Sequence, residues 1–192
     1  MTEPAAPALD LANFGSSIGD DALMQYLAHW QATRAAGDVL PQRSALQPVA
    51  LGPLLPRLII MEAGETGTAV IRLAGTGYRE ALGFELTGLD FLALAAPDAH
   101  ATRARRIRAI AQTPCGAWFR LLFPAPDGKQ RQFDFLVLPW SVPGQLPHLV
   151  GVASTQGRGW PAGADSRRRV AGHADDFRFV DLGAGTPADE GE

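Results

Sequence analysis

Apolar positions along this chain change period from helical to alternating more than once, and the changes mark out its elements. Leu23, Tyr26, Leu27 and Trp30 fall at i, i+3, i+4 and i+7, one face of a helix, so a helix is predicted over Asp20–Ala36. Its acidic start, Asp20-Asp21, suits the positive end of a helix dipole, and Gly37 is placed to end it. Such a stripe has to be buried against something. Four prolines between Leu40 and Pro56 then exclude a long regular helix and predict an extended strap with a short helical turn.

Leu58–Ala63 and Ala69–Ala74 are predicted as a hairpin turning at Gly64-Glu65-Thr66-Gly67. Short helices are expected over Tyr78–Leu82 and Leu89–Leu94, separated by Gly83 and Gly88. Pro97-Asp98 opens a longer helix to Gln112, with Ala104, Ile107, Ile110 and Ala111 as its apolar face, and Pro114 and Gly116 stop it. Ala117–Phe123 and Arg131–Trp140 flank the turn Pro126-Asp127-Gly128-Lys129 as two long strands. In the first, Ala117, Phe119, Leu121 and Phe123 alternate with Trp118, Arg120 and Leu122. In the second, Phe133, Phe135 and Val137 alternate with Asp134, Leu136, Leu138 and Trp140. Both faces are substantially apolar, so a second layer must cover the face opposite the core. Leu149–Ser154 supplies one more strand.

The flanks read differently. Residues 1–19 are rich in Ala, Pro and Gly and read as a flexible leader, and residues 20–155 hold the single folded domain. Residues 156–192 read as a linker and a mobile acidic tail, interrupted by the apolar segment 177–182. With 192 residues and 46% of them hydrophobic, the chain is large enough for a real core. A net charge of -3 argues against nucleic acid as a partner. One cysteine rules out an intrachain disulfide and fits a reducing cytoplasm. No basic-then-apolar leader and no run of the ~20 apolar residues that span a bilayer is present, so no secretion signal and no membrane are expected.

In their order along the chain, Leu54-Leu55-Pro56-Arg57-Leu58, Arg72-Leu73-Ala74-Gly75-Thr76, Leu82-Gly83-Phe84-Glu85-Leu86-Thr87-Gly88 and the closing three-strand block resemble the PAS domain superfamily. The likeness runs over roughly 22–153 and is greatest to bacterial stand-alone PAS-like proteins with an N-terminal helix and Pro-rich strap. It implies an α+β fold: a PAS-like five-stranded antiparallel sheet with helices on one face, and an N-terminal helix on the other face or in a dimer. Leu23, Tyr26, Leu27 and Trp30 would then meet Trp118, Leu122, Leu136 and Leu138, and all of these except Leu122 are the interface candidates. Tyr78, Phe84, Phe91, His100, Phe119 and Phe135 are the candidates for lining a small pocket under the helices, although each could equally fill it as core.

Other features carry less chemistry. Gly75-Thr76-Gly77 lacks the third glycine of a dinucleotide fingerprint, since position 80 is Glu80, and reads as a turn leaving a strand. His100 falls on the helix whose histidine ligates iron in haem-binding PAS relatives, but in its first turn, where a solvated or capping role fits better. His29, His148 and His173 lack metal-ligand spacing. Cys115 stands between Pro114 and Gly116, without the motif of flavin photosensors, and reads as structural. Arg103, Arg105, Arg106 and Arg108 read as a solvated basic face, with an anionic protein or nucleotide partner as the sharper alternative; Arg167-Arg168-Arg169 is a weaker basic run. No nucleophile elbow or paired-carboxylate arrangement appears.

The expectation is a non-enzymatic, cytoplasmic, bacterial PAS-type sensory regulator acting through a protein partner or its own dimer. The alternative is a small-molecule or cofactor sensor, for haem or a metabolite, using the PAS pocket.

Overall fold

The computed structural model describes residues 9–11, 13–124, 130–155 and 174–187. The turn expected at 126–129, most of the expected linker, His173, Arg167-Arg168-Arg169 and the ends of the leader and tail lie outside the described residues.

Seven strands form one sheet: β1 (Leu9–Asp10), β2 (Leu58–Ala63), β3 (Ala69–Ala74), β4 (Gly116–Pro124), β5 (Gln130–Trp140), β6 (His148–Ser154) and β7 (Ala174–Asp181). Their spatial order is β1-β7-β4-β5-β6-β2-β3, antiparallel throughout except that β1 runs parallel to β7. Five α-helices accompany them among the described residues: α1 (Phe14–Ile18), α2 (Asp21–Thr33), α3 (Pro48–Leu51), α4 (Thr76–Leu82) and α5 (His100–Gln112).

The expected five-stranded antiparallel sheet is thus corrected to a seven-stranded mixed one. Both extra strands come from segments read as loose. In the leader, Leu9 pairs beside Val180 and Phe14 is completely buried. In the tail, 177–182 extends a strand along the free edge of β4, with Phe119 opposite Phe177 and Ala117 opposite Phe179. The physical reason lies in β4, whose two apolar faces and open edge find both an inner-face and an outer-face partner in one more alternating strand.

Alternation divides the sheet into two cores. Phe119, Leu121, Phe133, Phe135, Val137 and Phe179 face inward, toward Ile107, Ile110 and Ala111 of α5 and Tyr78 and Ala81 of α4. Trp118, Leu136, Leu138, Trp140, Val150, Val152 and Val180 face the other way and are covered by α2.

α2 begins where Asp20 caps it: Oδ1 accepts from the Ala22 and Leu23 amides at 3.0 and 3.1 Å. The other carboxylate oxygen accepts from Ser154 Oγ on β6, which ties the helix start to the sheet. α2 ends at Thr33, earlier than the expected Ala36, because Arg34 is already extended. Along its length Leu23, Tyr26, Leu27 and Trp30 are buried against the sheet of the same chain. Tyr26 Oη donates to the Val150 carbonyl at 2.7 Å and accepts from Trp140 Nε1 at 3.2 Å. Burial pushes this phenol well above its ordinary range, so it stays a donor. Trp30 Nε1 donates to the Pro139 carbonyl at 3.0 Å.

The Pro-rich strap carries more turns than expected, with α3 between 3-10 turns at Arg43–Ala45 and Gly52–Arg57. Leu46, Leu51 and Leu54 pin it to the outer core. Where it enters β2 it crosses Gly75, and a Cβ there would stand 2.3 Å from the Leu55 carbonyl oxygen. That close approach, rather than a phosphate, is what requires a glycine in Gly75-Thr76-Gly77. α4 then starts at Thr76, two residues ahead of the expected Tyr78. The helix expected over 89–94 is a 3-10 turn, Phe91–Leu94, capped by Asp90 Oδ1 on the Leu92 amide at 3.0 Å. The same oxygen takes the Ala69 amide at 3.0 Å and fixes this turn against β3.

Candidate ligand pocket

Where α5 crosses β4 and β7, the inner core is incompletely filled. A cavity of about 50 Å³, partly open to solvent, lies between them. A water needs roughly 10–15 Å³ on this measure, so the space suits a few waters or a small molecule. α5 contributes Thr102, Arg103, Arg106 and Ile107, β4 contributes Phe119 and Leu121, the 3-10 turn contributes Phe91, and β7 contributes Phe177.

The aromatic rings form a connected wall. Phe119 stacks on Phe135 with centroids 5.1 Å apart and a 12° interplanar angle, and on Phe177 at 6.3 Å and 16°. Phe91 leans on Phe119 at 6.2 Å and 51°, while Phe177 meets Phe179 edge-on at 5.0 Å. Two guanidiniums lie over this wall: Arg103 Cζ is 4.9 Å from the Phe91 centroid and Arg106 Cζ is 4.0 Å from the Phe177 centroid. Arg103 Nη1 also donates to the Phe91 carbonyl at 3.3 Å. Burial, and then the Arg106 charge one turn along, bring Arg103 down to about 10, well below the ordinary arginine range.

Of the six residues expected to line a pocket, Phe91 and Phe119 do so. Phe135 lies behind Phe119 as packed core. Tyr78 is buried with its hydroxyl donating to the Arg57 carbonyl at 2.7 Å. Phe84 packs half-buried against the inner core, away from the cavity. His100 sits at the first position of α5 with its ring nitrogen 3.1 Å from the Ala95 carbonyl and does not reach the cavity. Haem does not fit this donor set: the histidine is turned elsewhere and the space is far too small. Cys115 is buried in the inner core, where burial first and the Asp181 charge second push its thiol up to about 12. That is the reverse of an activated thiol.

The seven interface candidates meet one another within the chain. Leu23, Tyr26, Leu27, Trp30, Trp118, Leu136 and Leu138 share the outer core, each 2% exposed or less. They are buried within this chain, because α2 is near enough to cover its own sheet. Leu122, expected beside them, is only half-buried.

Of the remaining lining, sequence reasoning passes over Thr102, reads Arg103 and Arg106 only as part of a basic face, and names Phe177 only within the apolar segment 177–182. Arg103 precedes Ile107 and Ile110 by four and seven positions, so it continues the apolar stripe of α5 toward its start. That register was the available signal against a wholly solvated basic face. Arg105 remains exposed, and Arg108 Nη2 donates to the Thr66 carbonyl at 3.1 Å, anchoring α5 to the β2–β3 turn. For Phe177 the signal was alternation, with Phe177 and Phe179 on one face and Val180 on the other.

Beyond the pocket, a polar row crosses the outer face. Arg120 on β4 grips Asp134 on β5 through two bonds of 2.8 and 3.1 Å, and its Nη1 lies 3.9 Å from Asp176 on β7. Asp134 registers beside Ser154, which reaches Asp20. No group of three or more metal-ligating side chains occurs among the described residues, and no helix among them is long and apolar enough to cross a membrane.

Solved structures with a similar fold include VqmA bound to DPO, at 18% identity and TM-score 0.41, covering 57% of this chain and 56% of that one. The chain therefore spans little more than half of that protein. The aureochrome1 LOV blue-light photoreceptor domain matches at 20% identity and TM-score 0.41, covering 57% of this chain and 88% of that one. A fungal LOV photoreceptor matches at 20% identity and TM-score 0.42, covering 75% of this chain and 99% of that one. Among curated protein sequences none matches. The PAS domain family, by contrast, matches residues 19–154, from the residue before the cap of α2 through the last residue of β6. A span that takes in the covering helix, the strap, both hairpins and the pocket helix leaves the assignment plain: the chain belongs to the PAS domain family.

Proposed function

We propose that this PAS domain is a small-molecule sensory module, non-enzymatic, whose cavity state is communicated through β7. The observation that carries this reading is the position of Phe177. It supplies a wall of the cavity, yet it lies on a strand outside the span matched by the family. Three residues further along the same strand, Val180 joins the outer core and pairs beside β1. Filling or emptying the cavity therefore bears on a strand that also holds the outer layer in place. A ligand acts on such an equilibrium only through a difference in affinity between its two states, and Phe177 is where that difference would arise.

Native mass spectrometry of the freshly purified full chain tests this. The expected result is a mass excess retained under native conditions and lost on denaturation, and reduced in Phe177→Ala. Sequence mass alone, from several expression hosts, would count against a resident small molecule.

A second reading, output through a protein partner or self-association, has a specific observation in its favour. Val49, Leu55, Leu73 and Leu89 are exposed, Val49 at 89%. Sedimentation velocity over a hundredfold concentration range checks it, with a fixed monomer mass arguing against self-association.

A further inference from the structure

We propose that the cavity takes a small organic anion, a carboxylate on a flat apolar body, with the Arg103 guanidinium as its counter-charge. The proposal rests on reading the cavity as a ligand site.

The argument begins with the cost of Arg103. It lines the cavity half-buried, and burial and the neighbouring Arg106 both oppose its charge. A desolvated cation is costly unless an anion and hydrogen bonds compensate it. Among the described residues no carboxylate forms an ion pair with Arg103; its partners are the Phe91 carbonyl, through one N–H, and the Phe91 ring. A guanidinium carries five N–H donors, so several remain for solvent or a ligand at the cavity. The ring offsets part of the charge and none of the donors. The head sits on the wall of the cavity, at its partly open side.

The rest of the lining says what the anion is attached to. Phe91, Phe119 and Phe177 present ring surfaces, Ile107 and Leu121 add aliphatic ones, and Thr102 brings a hydroxyl able to donate to a carboxylate oxygen. Space for a few waters limits the body to about one ring or a short chain. A carboxylate suits the planar fork of a guanidinium better than a spherical anion does.

The test uses benzoate and its neutral isostere benzamide as probes, titrated by calorimetry and by NMR into the full chain at low salt. The expected result is that benzoate binds at least tenfold more tightly than benzamide, and that Arg103→Gln removes this preference. Equal binding of the two probes would overturn the anion assignment and leave the ligand-cavity reading standing. Neither probe shifting any signal of residues around the cavity would overturn both. Because the benzoate-to-benzamide ratio is measured on the wild-type chain, the result does not depend on whether Arg103→Gln folds. Arg103→Lys, which keeps the charge, is expected to retain part of the preference; its complete loss there would also count against charge as the cause.

Discussion

Trp30 is the largest single test of the outer core. The indole is completely buried between α2 and the sheet, Nε1 donates to the Pro139 carbonyl at 3.0 Å, and Arg34 Cζ lies 5.4 Å from the ring centroid. Trp30→Ala removes the packing and leaves a cavity, a change that costs about 3–5 kcal/mol in a well-packed core. Loss of the indole hydrogen bond belongs inside that range, at about 1 kcal/mol. Trp30→Phe keeps most of the bulk and loses the bond, so about 1–2 kcal/mol is expected. With a urea m-value of about 2 kcal/mol/M, the Ala variant shifts the unfolding midpoint by about 2 M and the Phe variant by under about 1 M. Circular dichroism reads both without interference from the remaining tryptophans. Because α2 covers its own sheet, the midpoint is expected to be independent of protein concentration. A Trp30→Ala midpoint equal to wild type would refute the packing argument, and a midpoint that rises with concentration would place α2 across a dimer instead.

Three further predictions follow from single residues. Asp20→Ala removes a cap on two amides and the bond from Ser154 Oγ, for a loss of about 2–4 kcal/mol in chemical denaturation, whereas Asp20→Asn keeps the cap and loses less. Gly75→Ala drives a methyl to within 2.3 Å of one strap carbonyl oxygen and 2.5 Å of another, and a fall in the thermal midpoint on the order of 5 °C is expected; an unchanged melt would show the strap can move aside. Cys115 is held from 9.0 up to about 12, so the folded chain keeps a proton that the unfolded chain releases. Its contribution is complete below the unfolded value and is lost as pH rises toward the folded one. Stability of wild type should thus fall more steeply over that interval than stability of Cys115→Ala, and identical slopes would contradict the burial assigned to this thiol.

The helix α2 and the central strands were legible because their apolar periods are strong and local. The need to cover the second face of β4 and β5 was also legible, since Trp118, Leu136 and Leu138 alternate with residues that are themselves apolar. What covers it followed only in part: Leu23, Tyr26, Leu27 and Trp30 do so within one chain, and no local pattern distinguishes that from a pairing between copies. β7 escaped because a strand is recognised by its partner, and the partner of Phe177 lies far back along the chain at Phe119. The cavity was least legible of all. Tyr78, Phe84 and Phe135 have the same composition as its lining and differ from it only in packing, while Arg103 and Arg106 look like surface charge until the ring beneath each is known.

The parallel pairing of Leu9 with Val180 has a consequence for how the chain assembles. Among the described residues β1 has a single strand neighbour, β7, and every other strand of the sheet lies between the two in sequence. The central hairpins close over short loops, whereas β1, with Phe14 buried close by, cannot pair until β7 has been made. β1 is therefore a latch that can close only on a chain read through to its seventh strand. A truncated product ending after β6 would keep the PAS body but leave β4 with a bare edge and β1 with nothing to join, which is the kind of species that quality-control proteases recognise.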